Sequence, residues 1–505
     1  MTKPARTPPA IPAPRRKAAR TLGPTTSADL AADAVAAAPV TDDIRLLVSR
    51  ATYGATPALL TQVAQQGKAA WLAAQLEPLA KVPDVEMDTL LKRWPGLSKK
   101  IWQVREDESG WDSMFELLDA HTARAIWSRR QLLEVMVDFW SNHVNATCPS
   151  DNVWDNRHLY DRDAIRPHAL GKFSALLRAS AKHPAMLGYL GNRDSTKASP
   201  NENQGRELLE LHTLGVDGGY TETDMHNSAL ILTGLAIDDE GGVYSYKPWR
   251  HYVGPVKVMS FTHDNATAEG GEAVADAYLS YLAHHPATAR QIATKLAIRF
   301  VSDTPPASLV DSLTSTYLAN DTAIRPVLLA LFNSAEFAAS AGQKSKRPYE
   351  DLVATCRVLG VRPAATGTEG VRNLYWLSEM LGQPPLGWHP PNGYPDVAGA
   401  WASANGALAR WNIHTALTDQ WWDDVLVYPD LSGWANPLPP TYGALVDRIC
   451  QRLALKPLPA ASRKAVCDFF GKLATDPLRA SDEVIAWRFN QLITLVLDSP
   501  AFASR

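Results

Sequence analysis

At 505 residues, with 46% hydrophobic and 20% charged side chains, the chain has the make-up of a globular protein with room for a large core. A formal net charge of −3 gives no electrostatic case for nucleic acid as a partner. No run of about 18 apolar residues reads as a transmembrane helix, and four widely spaced cysteines suit a reducing compartment without requiring one.

Residues 1–40, rich in Pro, Ala and Arg, read as a disordered leader. The twin arginine Arg15-Arg16 is followed by more charge, and Asp29 and Asp33 interrupt the alanine-rich tract, so no signal-peptide core is found. That reading places the protein in the cytoplasm. From Thr41 the text turns helical, and residues 41–505 are expected to form one large all-α domain. Residues 113–145 read as a long helix or a helix pair. On it Glu134, Asp138, Asn142 and Asn145 share a polar face, while His143 falls among Leu132, Met136 and Phe139. A lone histidine on an apolar face is usually structural, but the Trp140-Ser141-Asn142-His143 context keeps His143 as a candidate.

The stretch Ser199–Gly215 is the most informative. Ser199 reads as an N-cap, Pro200 as the first helical residue, Glu202 as a capping-box partner and Gly215 as the left-handed stop. At about 100° per residue, Asn203, Glu207 and Glu210 share a face with Leu211 and Leu214, and Leu208 and Leu209 cover the other side. A helix apolar nearly all round is buried, which would draw Glu207 and Glu210 inward, where a carboxylate has to be paired, protonated or metal-bound. The plainer alternative is a salt bridge to Arg206 or a neighbouring helix. His212, on the far side, reads as a core histidine. A second capped helix starts at Thr221 with Asp224 at its third position.

Residues 237–262 break the helical pattern. Val243–Tyr246 and Val256–Met259 are its strand-like runs, read as a β-hairpin insertion and followed by the pair His263-Asp264. Helices resume over 272–283 and 286–300, where Lys295 sits in an apolar run and is expected to snorkel or to meet a buried acid. Residues 383–396 are proline-rich and cannot be regular helix. They present Trp388, His389, Tyr394 and Asp396, either as a platform for a sugar or polymer or as an arm packed across the helices. No P-loop, dinucleotide fingerprint, nucleophile elbow or His-Glu-x-x-His occurs.

These segments resemble, in order, the bacterial domain of unknown function 1800 family. The elements that carry the likeness include Leu46–Gly54, Phe139–His143, Asn201-Glu202-Asn203 with Arg206–Leu211, Gly219-Tyr220-Thr221, His263-Asp264, Lys295-Leu296, Gly393–Asp396 and Arg410-Trp411. The resemblance implies an all-helical fold, frequent export, and an alkaline-phosphatase-like exported protein encoded nearby as a partner. Against the family pattern, Gly205 stands where alanine is expected, a change read as harmless to the helix, and His212 where an aromatic is expected.

The resulting expectation is a hydrolase of an envelope polymer or glycan, with Glu207, Glu210 and His143 as catalytic groups. His143, Glu207, His263 and Asp264 would hold a divalent metal, with acid/base chemistry as the metal-free version. Its rival is a non-catalytic glycan- or protein-binding factor that works through Trp388, His389, Tyr394 and Asp396.

Overall fold

Apolar spacing decides where the helices begin. The computed structural model describes residues 39–505; the leader expected over 1–40 lies outside them apart from its last two residues. In α1 (Asp42–Ala51) Ile44, Leu47 and Val48 are buried, as their spacing requires. The long helical run is a pair, α2 (Gly110–Trp127) and α3 (Gln131–His143). α3 is buried on almost every side, Glu134, Asp138 and His143 included, so its polar groups have to find partners within the protein.

The organising stretch departs from an unbroken α-helix. Asn201 rather than Ser199 caps it, accepting from the Asn203 amide at 2.9 Å, and Ser199 forms a β-bridge with Thr196 instead. Pro200 thus precedes the cap, and Glu202 sits exposed against His226. The helix α4 (Glu202–Glu207) passes directly into a π-turn, Leu208–His212. The wider turn rotates the residues after Glu207 off the α-helical wheel. Gly215 takes the left-handed conformation expected of it, with φ +89. The next helix, α5 (Glu222–Leu232), has the Thr221–Asp224 capping box that its sequence announces.

Gly205 is the contact between α4 and α5. A Cβ there would lie 2.8 Å from the Ala229 backbone nitrogen, and Ser228 Oγ reaches the Gly205 carbonyl at 3.2 Å. Alanine is therefore not interchangeable with Gly205 in this chain, contrary to the expectation from sequence.

The β insertion is two hairpins, not one. β1 (Leu235–Ile237) pairs with β2 (Tyr244–Tyr246), and β3 (Val256–Val258) with β4 (Phe261–His263). The two runs singled out in the sequence are β2 and β3, but each has a nearer partner across a short turn. Gly241-Gly242 helps turn β2 back on β1, and Met259-Ser260 folds β4 onto β3.

α6 (Gly271–His284) and α7 (Pro286–Phe300) follow. Two of the His-Pro pairs, His183-Pro184 and His285-Pro286, serve as helix starts: the imidazoles of His183 and His285 accept from the Ala185 and Ala287 amides. α8 (Pro348–Leu359), a two-stranded ladder of β5 (Arg362–Pro363), α9 (Ala404–Thr418), β6 (Leu426–Val427) and α10 (Phe489–Leu497) build the rest of the described framework around shorter helices. The fold is all-α with small β insertions. Its main apolar cluster draws on residues from Ile44 to Phe502, and no helix of the described residues is long and apolar enough to cross a membrane.

Candidate functional site

Two helices present polar side chains at four-residue spacing into an otherwise apolar interior. α3 offers Asp138 and Asn142, and α7 offers Gln291, Lys295 and Arg299; at that spacing each set stacks along one face. The seam between these groups is where the chemistry gathers.

At one end lies an ion cluster. Arg347 Nη2 contacts Asp138 Oδ2 at 2.7 Å, and Arg299 Nη1 and Arg505 Nη1 each approach Glu350 Oε1 at 2.5 Å. Asp396 sits 3.6 Å from Arg299 and 3.8 Å from both Arg347 and Lys344, while Lys344 reaches Asp303 at 2.6 Å. Four cations thus meet four carboxylates. Burial pushes Glu350 up, but Arg299, Arg505 and Arg347 outweigh it and hold the carboxyl well below its usual range. Asp396 is depressed in the same way, with Arg299, Arg347 and Lys344 overcoming its burial. A further guanidinium, Arg50, is enclosed by the backbone oxygens of Phe300, Val301, Ser340 and Arg505.

The middle of the seam is built from imidazole, amine and backbone carbonyl groups. His143 Nε2 lies 3.0 Å from the His212 carbonyl, and Lys295 Nζ lies 2.9 Å from His143 Nδ1. A carbonyl only accepts, so Nε2 carries the ring proton and Nδ1 accepts from Lys295. Leu211 and His212 close the helical run, so their carbonyls have no partner within it; the His212 carbonyl goes to His143 and the Leu211 carbonyl to Gln291 Nε2 at 3.3 Å. Burial lowers Lys295 to about 8 and His212 to about 3. It also holds His143 well below its ordinary value, with Lys295 adding to the effect.

Residues 383–396 run over the seam as a strap. Asn145 Nδ2 donates to the carbonyls of Trp388 and Pro390, both at 2.8 Å, and Thr147 Oγ1 and Tyr189 OH donate to the His389 carbonyl. The Tyr394 amide donates to Asn142 Oδ1 at 3.1 Å. Gly393 is needed there: its φ is +70 and an added Cβ would fall 2.1 Å from the Asn142 carbonyl. The Tyr394 ring is buried between Trp388 and Trp401, with centroids at 4.9 and 5.8 Å.

The residues expected at the site divide by position. Asp396 turns into the ion cluster and Tyr394 into the strap's own core, whereas the half-buried Trp388 and the exposed His389 stay at the surface. Glu210 lies half-buried, 3.8 Å from Arg206. Glu207 is half-buried too, but makes no hydrogen bond or ion pair with any described residue. Its carboxyl is pushed up by burial first and by Glu210 second, against the pull of Arg206. Glu207 in turn helps to raise the Tyr189 phenol, which is raised mainly by burial.

The expected metal set of His143, Glu207, His263 and Asp264 is not brought together. Both ring nitrogens of His143 are engaged, and His263 and Asp264 are exposed at the end of β4, with His263 Nδ1 taken by the Asn265 amide. They line an open groove of about 500 Å³ with Asn227 and Lys257. Among the described residues no group of three or more His, Cys, Asp or Glu is placed to hold a metal ion.

Sequence reasoning passed over Tyr189, Gln291, Arg299, Arg347 and Glu350. Lys295 stands out in the sequence, but its partner is an imidazole and not an acid. The spacing of Gln291, Lys295 and Arg299 along a helix whose other residues are apolar was the available signal.

Fold and seam define a class: a helical protein with small β insertions and a charged interior roofed by a proline strap. The chain belongs to the family described as protein of unknown function DUF1800, whose model matches residues 46–504. No curated protein and no solved structure matches it.

Proposed function

We propose that the surface where the strap meets the π-turned helix is the working face, and that Glu207 donates a proton there during hydrolysis of a glycan-like envelope polymer. The observation that carries this reading is the Glu207 carboxyl itself. It is half-buried, unpaired among the described residues and pushed up in pKa. A carboxylic acid that keeps its proton closer to neutral pH is what general-acid cleavage of an acetal bond asks for. Trp388 supplies a flat apolar face for a sugar ring, and Tyr189 ties the strap to the body close to Glu207. An alkaline-phosphatase-like exported partner belongs to the same reading, as a second protein acting on that polymer.

The test is release of reducing ends from a panel of bacterial envelope polysaccharides by the wild type and Glu207→Gln. Activity on one polymer should fall at least ~100-fold in the variant, the usual scale of a lost general acid. In the wild type it should decline as pH rises through the elevated Glu207 pKa. A variant as active as the wild type would refute the role of Glu207.

A second reading, non-catalytic binding, is favoured by the anchoring of the strap. Asn145, Thr147 and Tyr189 hold its backbone, so presenting Trp388 costs little ordering on binding. Calorimetric titration separates the two: binding that survives Glu207→Gln but not Trp388→Ala, with no polymer cleaved, belongs to a binding protein.

A further inference from the structure

We propose that Lys295 is a nucleophilic amine that captures a small carbonyl compound, an aldehyde or ketone, as an imine in the seam between α3 and α7, with His143 as its positioning residue. Several lysines elsewhere in the fold face acids: Lys172, Lys182, Lys247 and Lys344 each meet a carboxylate, whereas Lys346 lies over the Phe502 ring and donates to its carbonyl. Lys295 has none within ion-pair distance among the described residues. Its one described partner is His143 Nδ1 at 2.9 Å, an acceptor fixed in that role by the His212 carbonyl on the other ring nitrogen. An ammonium ion withdrawn from water without a counter-charge is unfavourable, and an apolar side chain would fill the place more cheaply. The same surroundings favour the free amine, and lysines in them serve as Schiff-base formers. Burial accordingly brings Lys295 down to about 8, while the residue as a whole stays half-buried and not fully enclosed.

The chemistry balances without an added oxidant or reductant. The neutral amine attacks the carbonyl carbon, a C–N bond forms as the C=O π bond opens, and the oxygen takes up a proton. The carbinolamine then expels water as the second C–N bond forms, and nitrogen gives up its hydrogens in the process. His143 Nδ1 holds one N–H, which orients the nitrogen lone pair. The two proposals rest on different side chains, Lys295 beside His143 here and Glu207 above, with no hydrogen bond between them. Either proposal can therefore fail alone.

The experiment treats the native full chain at pH 7 with acetaldehyde and sodium cyanoborohydride, which reduces an imine to a stable N-ethyl amine, and maps the sites by peptide mass spectrometry. Lowering an amine from 10.5 to about 8 raises its neutral fraction about 300-fold near neutral pH. Lower intrinsic nucleophilicity and partial shielding reduce that gain, so Lys295 should be ethylated at least ~10-fold faster than the exposed Lys81 and Lys456. The preference should vanish in urea. Ethylation of native Lys295 no faster than that of exposed lysines overturns the proposal. In His143→Phe, which keeps an aromatic ring but removes the acceptor, the pH midpoint of labelling should move lower. An unchanged profile overturns the positioning role.

Discussion

His414 should make the stability of this protein fall as the solution becomes mildly alkaline. The imidazole is 3% exposed and lies between two carboxylates, Nε2 at 2.8 Å from Asp351 and Nδ1 at 2.7 Å from Asp498. Carboxylates on both sides require both nitrogens to carry protons. Burial opposes this, but Asp351 and Asp498 prevail and raise His414 from 6.5 to about 9. At about 1.4 kcal/mol per pH unit, the bound proton favours the folded state by about 2 to 3 kcal/mol, allowing for screening at the partly exposed Asp498. A raised folded pKa means the contribution is complete below pH 6.5, declines above it, and is gone once the pH passes about 9. The assay is urea unfolding from pH 6 to 9.5 for the wild type and His414→Gln. The variant should be less stable throughout the lower part of the range, and the gap should narrow by the stated amount toward pH 9.5. Parallel curves would refute the assignment of a buried imidazolium.

Arg347→Met should destabilise by about 3–5 kcal/mol, because Asp138, Glu350 and Asp396 lose a shared cation inside the protein; equilibrium unfolding measures it, and a loss under ~1 kcal/mol would show the cluster to be well hydrated. Gly393→Ala should cost about 1–3 kcal/mol by pressing a methyl group into the Asn142 carbonyl, and should change the fluorescence of the neighbouring Trp388 as the strap lifts; melting curves and emission spectra read both. Gly205→Ala should cost a similar ~1–3 kcal/mol by separating α4 from α5, and a melting temperature equal to wild type would show that the helices can slide apart freely.

Local rules carried the fold a long way. The spacing in α1, the capping box at Thr221, the left-handed Gly215 and the break from helix over 237–262 all follow from forces acting within a few residues. Strand partnership did not, since nothing local told β2 and β3 that nearer partners lay across the Gly241-Gly242 and Met259-Ser260 turns. The π-turn escaped for a similar reason. Leu208–His212 reads as ordinary helix, and the side chains of α3 and α7 that take up its last carbonyls lie far away in the sequence. Asp396 shows the limit most clearly. Its exposed-looking loop context suggested a ligand contact, whereas Arg299, Arg347 and Lys344, each distant in the chain, draw it inside.

The enclosure of Arg50 bears on how the chain reaches this state. Its acceptors include Phe300, 250 residues away, and Arg505, 455 residues away, and the Glu350 carboxylate waits for the same late arginine. The helix α1 therefore gains its full set of contacts only when segments 250 and 455 residues further along have packed against it. Until then an incompletely matched charge sits where the interior should seal. Loosening either distant segment uncovers the same guanidinium, so sensitivity to proteases at the two places should rise together.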